Sequence, residues 1–198
     1  MNGDDSVPEP TDDIMCATYR ALCRHGYADL TMQDIADEWS KSKAALHYHY
    51  DTKRGLLLAF LDHLFTTYTE RVAAPDSGPA RERLDALIDA ALDPPRADTH
   101  RELRTALFEV KAQAPHDEAF RERLARFDDY LAGEVRTVVV DGVESGAFRA
   151  DADPETTATL LVTLLNGAHS RRVALGTDDD VREAIGDFVD DHLGEGSR

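Results

Sequence analysis

At 198 residues the chain is long enough for one medium domain or two small ones with cores of their own. Its apolar fraction of 42% falls in clear periodic runs, which excludes a disordered chain, and no apolar run reaches the roughly 20 residues of a membrane span. With 39 acidic and 22 basic side chains the net charge is −17, so almost every face repels a polyanion. The acid is mostly Asp, 26 against 13 Glu, and Lys is scarce, 4 against 18 Arg. Such a surface suits concentrated salt, where charges are screened within about 3 Å at 1 M, and a halophile's cytosol is the expected habitat. The opening "MNGDDSVPEP" has no signal-peptide character. Cys16 and Cys23 share one expected helix, about 10 Å apart along its axis, too far to bridge. A soluble, reduced, cytoplasmic protein is expected.

In chain order, a loose tail leads to a helix that Thr11 or Asp12 can cap, with Ile14, Ala17, Thr18, Ala21 and Leu22 inward and Gly26 ending it. Thr31 caps a short helix, "MQDIADEW". Ser40 and Lys41 form a tight turn, Ser42 caps "KAALHYHY", and Asp51 or Thr52 caps a fourth helix through "GLLLAFLDHLFTTY". Leu84, Leu87, Ile88, Ala91 and Leu92 keep a helical stripe up to Pro94 and Pro95. Leu103 to Ala114 mark the next helix, ended by Pro115, and Phe120 to Val138 a long one ending near Gly146. Another opens with Pro154 in its first turn, and the last spans roughly 178 to 193. No segment alternates as a strand should; the valine triplet 138 to 140 has helical flanks. The fold expected is all-α, about nine helices, with a head over 11–55 and a helical bundle over 56–195.

Three short helices with a tight turn between the second and third are the layout of a helix-turn-helix, whose last helix enters the major groove. Charge adds to that reading. Residues 39 to 54 hold Lys41, Lys43, Lys53 and Arg54 against Asp51, a local charge of +3 that leaves −20 for all other residues. This edge would orient an encounter with duplex DNA.

The stretch "GYADLTMQDIADEWSKSKAALHYHYDTKRGLL" resembles the DNA-binding segment of the TetR family of transcriptional regulators. The marks are Gly26-Tyr27, Thr31 opening the second helix, Ile35-Ala36, then Leu46-x-Tyr48-His49-Tyr50 and Lys53. The likeness covers about residues 11 to 65. The chain departs from the family in the turn, where Gly and an apolar residue are usual and Ser40 and Lys41 stand here, and at Trp39, which is expected to pack between helices. The resemblance implies that Lys43, Ala44, Ala45 and His47 face base edges and that Thr31, Tyr48, His49 and Lys53 contact phosphate. Gln33, Lys41 and Ser42 complete the expected DNA-binding set. Physics suits these roles: Lys43 can donate to guanine, Ala45 offers a methyl contact to thymine, and helix-start amides hold phosphates. Tyr48 and Tyr50 are expected to pack in part, leaving only the Tyr48 hydroxyl for DNA. His47 and His49, spaced i and i+2, point to different sides of a helix, so no metal is expected there, and no cofactor elsewhere.

The helix "TTATLLVTLLNGAHSRRVAL" is apolar nearly all round in its first half and needs two partners. One is its own bundle; the resemblance makes the other a second copy, across a two-fold axis. Leu160, Leu164, Gly167, Ala168, Arg171, Ile185, Phe188 and Val189 are the expected dimer residues. An effector pocket is expected among Phe60, Leu64, Tyr68, Leu87, Ala91, Leu107, Phe108, Phe127 and Tyr130, positions that core packing explains as well. Asn166, His169 and Gln113 are the polar groups expected inward, and Arg104 or Arg171 a counter-ion. An apolar or amphipathic effector fits best.

No G-x-S-x-G, Gly-rich phosphate loop or paired Cys/His set is present, so catalysis is not expected. A purely structural or small-molecule-binding helical dimer would leave the basic residues on one short helix unexplained. The expectation is a ligand-responsive, sequence-specific repressor, a homodimer on operator DNA, with no membrane partner.

Overall fold

The computed structural model describes residues 10–75, 77–92, 100–177 and 181–194. They form nine helices: α1 (Pro10–Asp29), α2 (Met32–Trp39), α3 (Lys43–His49), α4 (Lys53–Val72), α5 (Ala80–Leu92), α6 (His100–Lys111), α7 (Glu118–Glu144), α8 (Pro154–Leu175) and α9 (Val181–Leu193). No strand occurs among the described residues, and Val138 to Val140 lie within α7. α1 starts at Pro10, ahead of both expected caps, and Pro94 and Pro95 lie outside the described residues.

Two compact units divide the chain: Met1–Leu64 with Asp98–Arg123, and Phe65–Ala97 with Leu124–Arg198. The first therefore takes in α6 and the start of α7 as well as the helix-turn-helix, which the sequence boundary at 55 does not include. Its interior is built from Ile14 and Leu22 of α1, Ile35 of α2, Leu46 of α3, Leu57 of α4 and Phe120 of α7, all nearly solvent-free. Within α1 the helix breaks at Gly26, whose φ of 69° lies in the left-handed region, and one more turn follows to Asp29. The space beside it is also tight. A Cβ there would sit 3.0 Å from a carboxylate oxygen of Glu109, and that oxygen accepts the Tyr27 N–H at 2.6 Å.

The second unit packs α5, α7, α8 and α9 about Leu84, Leu87, Val138, Leu161, Leu165 and Val189. Gly142 lets the loop after α7 close on that helix: a Cβ would lie 2.1 Å from the Phe148 ring, and the Phe148 N–H donates to Gly142 O at 3.0 Å. Asp153 caps α8, accepting the Glu155 N–H, with Pro154 at the first helical position as expected.

Candidate nucleic-acid interface

The caps around α2 and α3 are short-range and explicit in the chain. The Thr31 hydroxyl oxygen accepts the Asp34 N–H at 3.2 Å while Asp34 accepts the Thr31 N–H at 2.8 Å, a reciprocal capping box. The Thr31 hydroxyl also donates to Asp34 at 2.6 Å and holds that carboxyl below its ordinary range. α2 ends at Ser40, which adopts left-handed φ 58° and ψ 32°, and Lys41 N–H closes the turn on Ala36 O at 3.2 Å. A serine thus takes the conformation that glycine adopts freely. Ser42 then caps α3 by accepting the Ala45 N–H at 3.1 Å, and Thr52 accepts the Gly55 N–H at the start of α4. The caps expected at Thr31, Ser42 and Thr52 are all formed.

Leu46 is the buried anchor of α3, and the rest of the helix faces outward. Lys41, Ser42, Lys43, Ala44, His47, Tyr48 and His49 are exposed and Ala45 is half-buried. Lys41, Lys43 and His47 take no side-chain partner among the described residues. Tyr48 is 87% exposed, so the expected partial packing is corrected for this residue and holds for Tyr50 alone. The reason is geometric: Tyr48 lies two residues beyond Leu46, on the far side of a seven-residue helix, where no other helix reaches it. Among the described residues its ring pairs with His49 edge-on at 5.3 Å, and His49 in turn meets Trp39 at 5.7 Å, so Trp39 bridges α2 and α3 as expected. Gln33 is exposed and donates to Asp37 at 2.7 Å.

Two of the four cations counted in this edge have partners inside the protein. Lys53 Nζ donates to Tyr27 O at 3.0 Å and Leu30 O at 2.8 Å and lies over the Tyr27 ring. Arg54 forms a forked pair with Asp117, at 2.5 and 2.8 Å, which pushes the aspartate down to about 2 and raises the guanidinium. Sequence reasoning missed Asp117 and Glu109: 63 and 82 residues separate them from Arg54 and Tyr27, and no local pattern announces such pairs. What remains freely positive is Lys41 and Lys43, at the N-terminal end of α3.

The expected pocket residues are shared between the units. In the first, Phe60 is buried, Leu64 and Leu107 are half-buried and Phe108 is exposed. In the second, Leu87 and Ala91 belong to the core, while Tyr68, Phe127 and Tyr130 gather with Phe65 into a half-buried aromatic cluster, centroids 5.1 to 6.3 Å apart. Burial pushes the Tyr68 hydroxyl up to about 12. Tyr130 donates to Thr69 O, Asn166 to Asp128, and His169 lies 3.0 Å from Ala91 O; Gln113, in the first unit, donates to Glu109 O. A groove of about 300 Å³ lined by Asp85, Ile88, Asp89, Arg182 and Gly186 touches none of the pocket candidates.

On α8 the leucines split cleanly: Leu161 and Leu165 are buried, while Leu160 and Leu164 are 37% and 38% exposed. Gly167 and Arg171 are also exposed and Ala168 is nearly buried. On α9, Ile185 and Val189 lie in the core, and Phe188 is half-buried, stacked on His192 at 5.3 Å.

A capped helix-turn-helix with a solvent-facing third helix, in a chain whose other unit is a helical bundle, defines a DNA-binding regulator. Residues 14–60 match the model of bacterial regulatory proteins of the tetR family, and residues 80–194 that of the BetI-type transcriptional repressor C-terminal domain. A solved TetR transcription regulator from Haloarcula marismortui is 40% identical, with a TM-score of 0.86 over 92% of this chain and 97% of that one. A regulator from Saccharomonospora viridis, solved in complex with choline, is 25% identical with a TM-score of 0.82, covering 94% and 98%. The transcriptional repressor AcnR of Corynebacterium glutamicum is 25% identical over 94% of this chain and 93% of its own. The chain belongs to the TetR family and is a sequence-specific DNA-binding transcriptional regulator, not an enzyme. No helix among the described residues is long and apolar enough to cross a membrane.

Proposed function

We propose that the chain is a ligand-responsive repressor that holds operator DNA as a homodimer and releases it when an effector occupies the C-terminal unit. The observation that carries this reading is the outward face of α3, with Lys43, Ala44 and His47 exposed and Lys41 beside them. Lys43, Ala44, Ala45 and His47 read base edges. Thr31, Lys41, Tyr48, His49 and Lys53, with the amides that open α2 and α4, meet phosphates, and Gln33 and Ser42 complete the DNA-binding set, while Lys53 also ties α4 to the carbonyls of Tyr27 and Leu30. Exposed Leu160 and Leu164, with Gly167 and Arg171 further along α8, supply an isologous surface, and α9 borders it through Phe188. Tyr68, Phe127 and Tyr130, with Leu87 and Ala91 of the same unit as further pocket candidates, receive an amphipathic effector. Binding shifts α4 and with it the spacing of the two heads; a coupling of about 1–3 kcal/mol changes operator affinity about 5- to 150-fold. The protein works in the cytoplasm, in concentrated salt, so base-edge and water-mediated contacts outweigh charge contacts.

The test is selection of bound fragments from the source genome, followed by competition against random DNA at rising salt. Discrimination that persists in molar salt is expected. Equal binding to selected and random duplex at every ionic strength would sink the proposal.

A further inference from the structure

Arg71, at the end of α4, is a cation with an unmet need. It is half-buried, and its Nε is enclosed with no acceptor. Arg81 and Arg83 each enclose one such nitrogen too, but both are anchored by carboxylates, Arg81 by Asp85 and Asp190 and Arg83 by Asp141 at 2.7 Å. Arg71 has no ion pair or hydrogen bond among the described residues; its guanidinium lies over the Tyr68 ring, 5.6 Å from Cζ to centroid. Acid is not lacking at the aromatic cluster. Asp128 acts on Tyr68 and Glu134 on Tyr130, yet Asp128 accepts from Asn166 at 3.0 Å and Glu134 from the Ala74 N–H at 2.7 Å. In a chain with 39 acidic residues, a half-buried guanidinium with no carboxylate among the described residues is placed to take a bound acceptor at its two Nη nitrogens, which unlike Nε are not enclosed.

The neighbouring rings set the rest of the ligand. Phe65, Tyr68, Phe127 and Tyr130 present half-buried aromatic surface, and two of them already carry the protein's own cations. Arg71 lies over Tyr68, and Arg126 over Phe65 with Cζ 4.2 Å from the centroid. A cationic headgroup would meet guanidinium where it needs an open π face, whereas an anion meets a fork of donors. The net charge repels anions at range, but that field is screened beyond about 8 Å at physiological ionic strength and contact chemistry decides.

Resting on the effector site proposed above, we propose that the aromatic cluster beside Arg71 binds an organic carboxylate, its acid group on the Arg71 fork and its apolar body against Phe65, Tyr68, Phe127 and Tyr130. This charge class is opposite to the choline held by the Saccharomonospora viridis regulator.

The intact protein is titrated calorimetrically with 4-phenylbutyrate, with 4-phenylbutanol and with benzyltrimethylammonium, alongside Arg71→Gln and Arg71→Lys. The carboxylate should bind about tenfold or more tighter than the alcohol, with the ammonium weakest. Arg71→Gln should bring acid and alcohol level, and Arg71→Lys, which keeps the charge without the fork, should retain part of the preference; thermal melting shows whether each variant is folded. Equal binding of acid and alcohol by the native protein, tightest binding of the ammonium, no binding of any probe, or an undiminished acid preference in folded Arg71→Gln overturns the inference. Should Arg71→Gln not fold, the ranking of the three probes on the native protein decides alone. Operator release is read separately. An ammonium probe that binds and releases operator leaves the ligand-responsive repressor standing and removes only its anionic effector, whereas loss of operator discrimination removes the repressor itself.

Discussion

Among the described residues, Lys41 and Lys43 in the first unit and Arg71 in the second all lack a carboxylate, but they do so in different surroundings. The two lysines stand in water at the start of α3, where an unpaired ammonium costs nothing and stays ready for a phosphate or a guanine. Arg71 is half-buried against Tyr68, where the same lack leaves an enclosed donor unsatisfied. Elsewhere in each unit cations are matched with acid: Arg20 and Arg24 with Glu38 and Arg54 with Asp117 in the first, Arg136 with Glu155 and Arg149 with Asp151 in the second. With acid in such surplus, pairing is the ordinary fate of a cation, so an unmatched one draws attention. Its burial then separates a surface that waits for a polymer from a site that waits for a small molecule.

The largest effect expected at the exposed lysine site is loss of reading. Lys43→Ala combined with His47→Ala should remove about 2–6 kcal/mol of discrimination between operator and random DNA. Circular dichroism and dimer mass should stay unchanged, and discrimination retained in a folded dimer would detach reading from α3. In the second unit the comparable blow is to packing: Gly142→Ala drives a methyl into the Phe148 ring and should cost about 1–3 kcal/mol in denaturant unfolding, with operator contacts untouched. Ser40→Gly should act in the opposite direction. Releasing a left-handed serine should stabilise the protein by about 1 kcal/mol, seen as a raised melting temperature, and no gain would show that the turn is unstrained.

The smallest effect is one of pH. Asp117 is held down at about 2 by the Arg54 fork, so its contribution is fully present above the ordinary aspartate value of about 3.9 and is lost as pH falls from there through the lowered value. A carboxyl titration followed by NMR should place its midpoint near 2 and return it close to the ordinary value in Arg54→Gln. An identical midpoint in both proteins would mean that the fork does not persist in solution.

The head was largely legible because its information is local. Thr31 with Asp34, Ser42 with Ala45 and Thr52 with Gly55 are bonds across three residues, and the apolar spacing around Ile35 and Leu46 sets the faces. Tyr48 was misread for a related reason: an aromatic residue suggests packing, but on a helix of seven residues with one buried anchor nothing is left to pack against. The partners of Arg54 and Tyr27 were illegible, because 63 and 82 residues of chain must fold before Asp117 and Glu109 arrive. The same holds for Arg71, one arginine among 18 until its neighbours are in place.

The amino-acid order by itself determined nine helices in their order, the capped turn between α2 and α3, the placing of lysine in an acidic chain, and thus a DNA-binding regulator. These follow from periodicity, capping and charge, which act over a few residues. Tertiary structure decided which cations are spent within the protein, which α8 leucines face out, and that four aromatic rings meet beside an arginine that has no acid partner among the described residues. Those outcomes depend on burial and on partners distant in the chain, and neither exists before the helices pack.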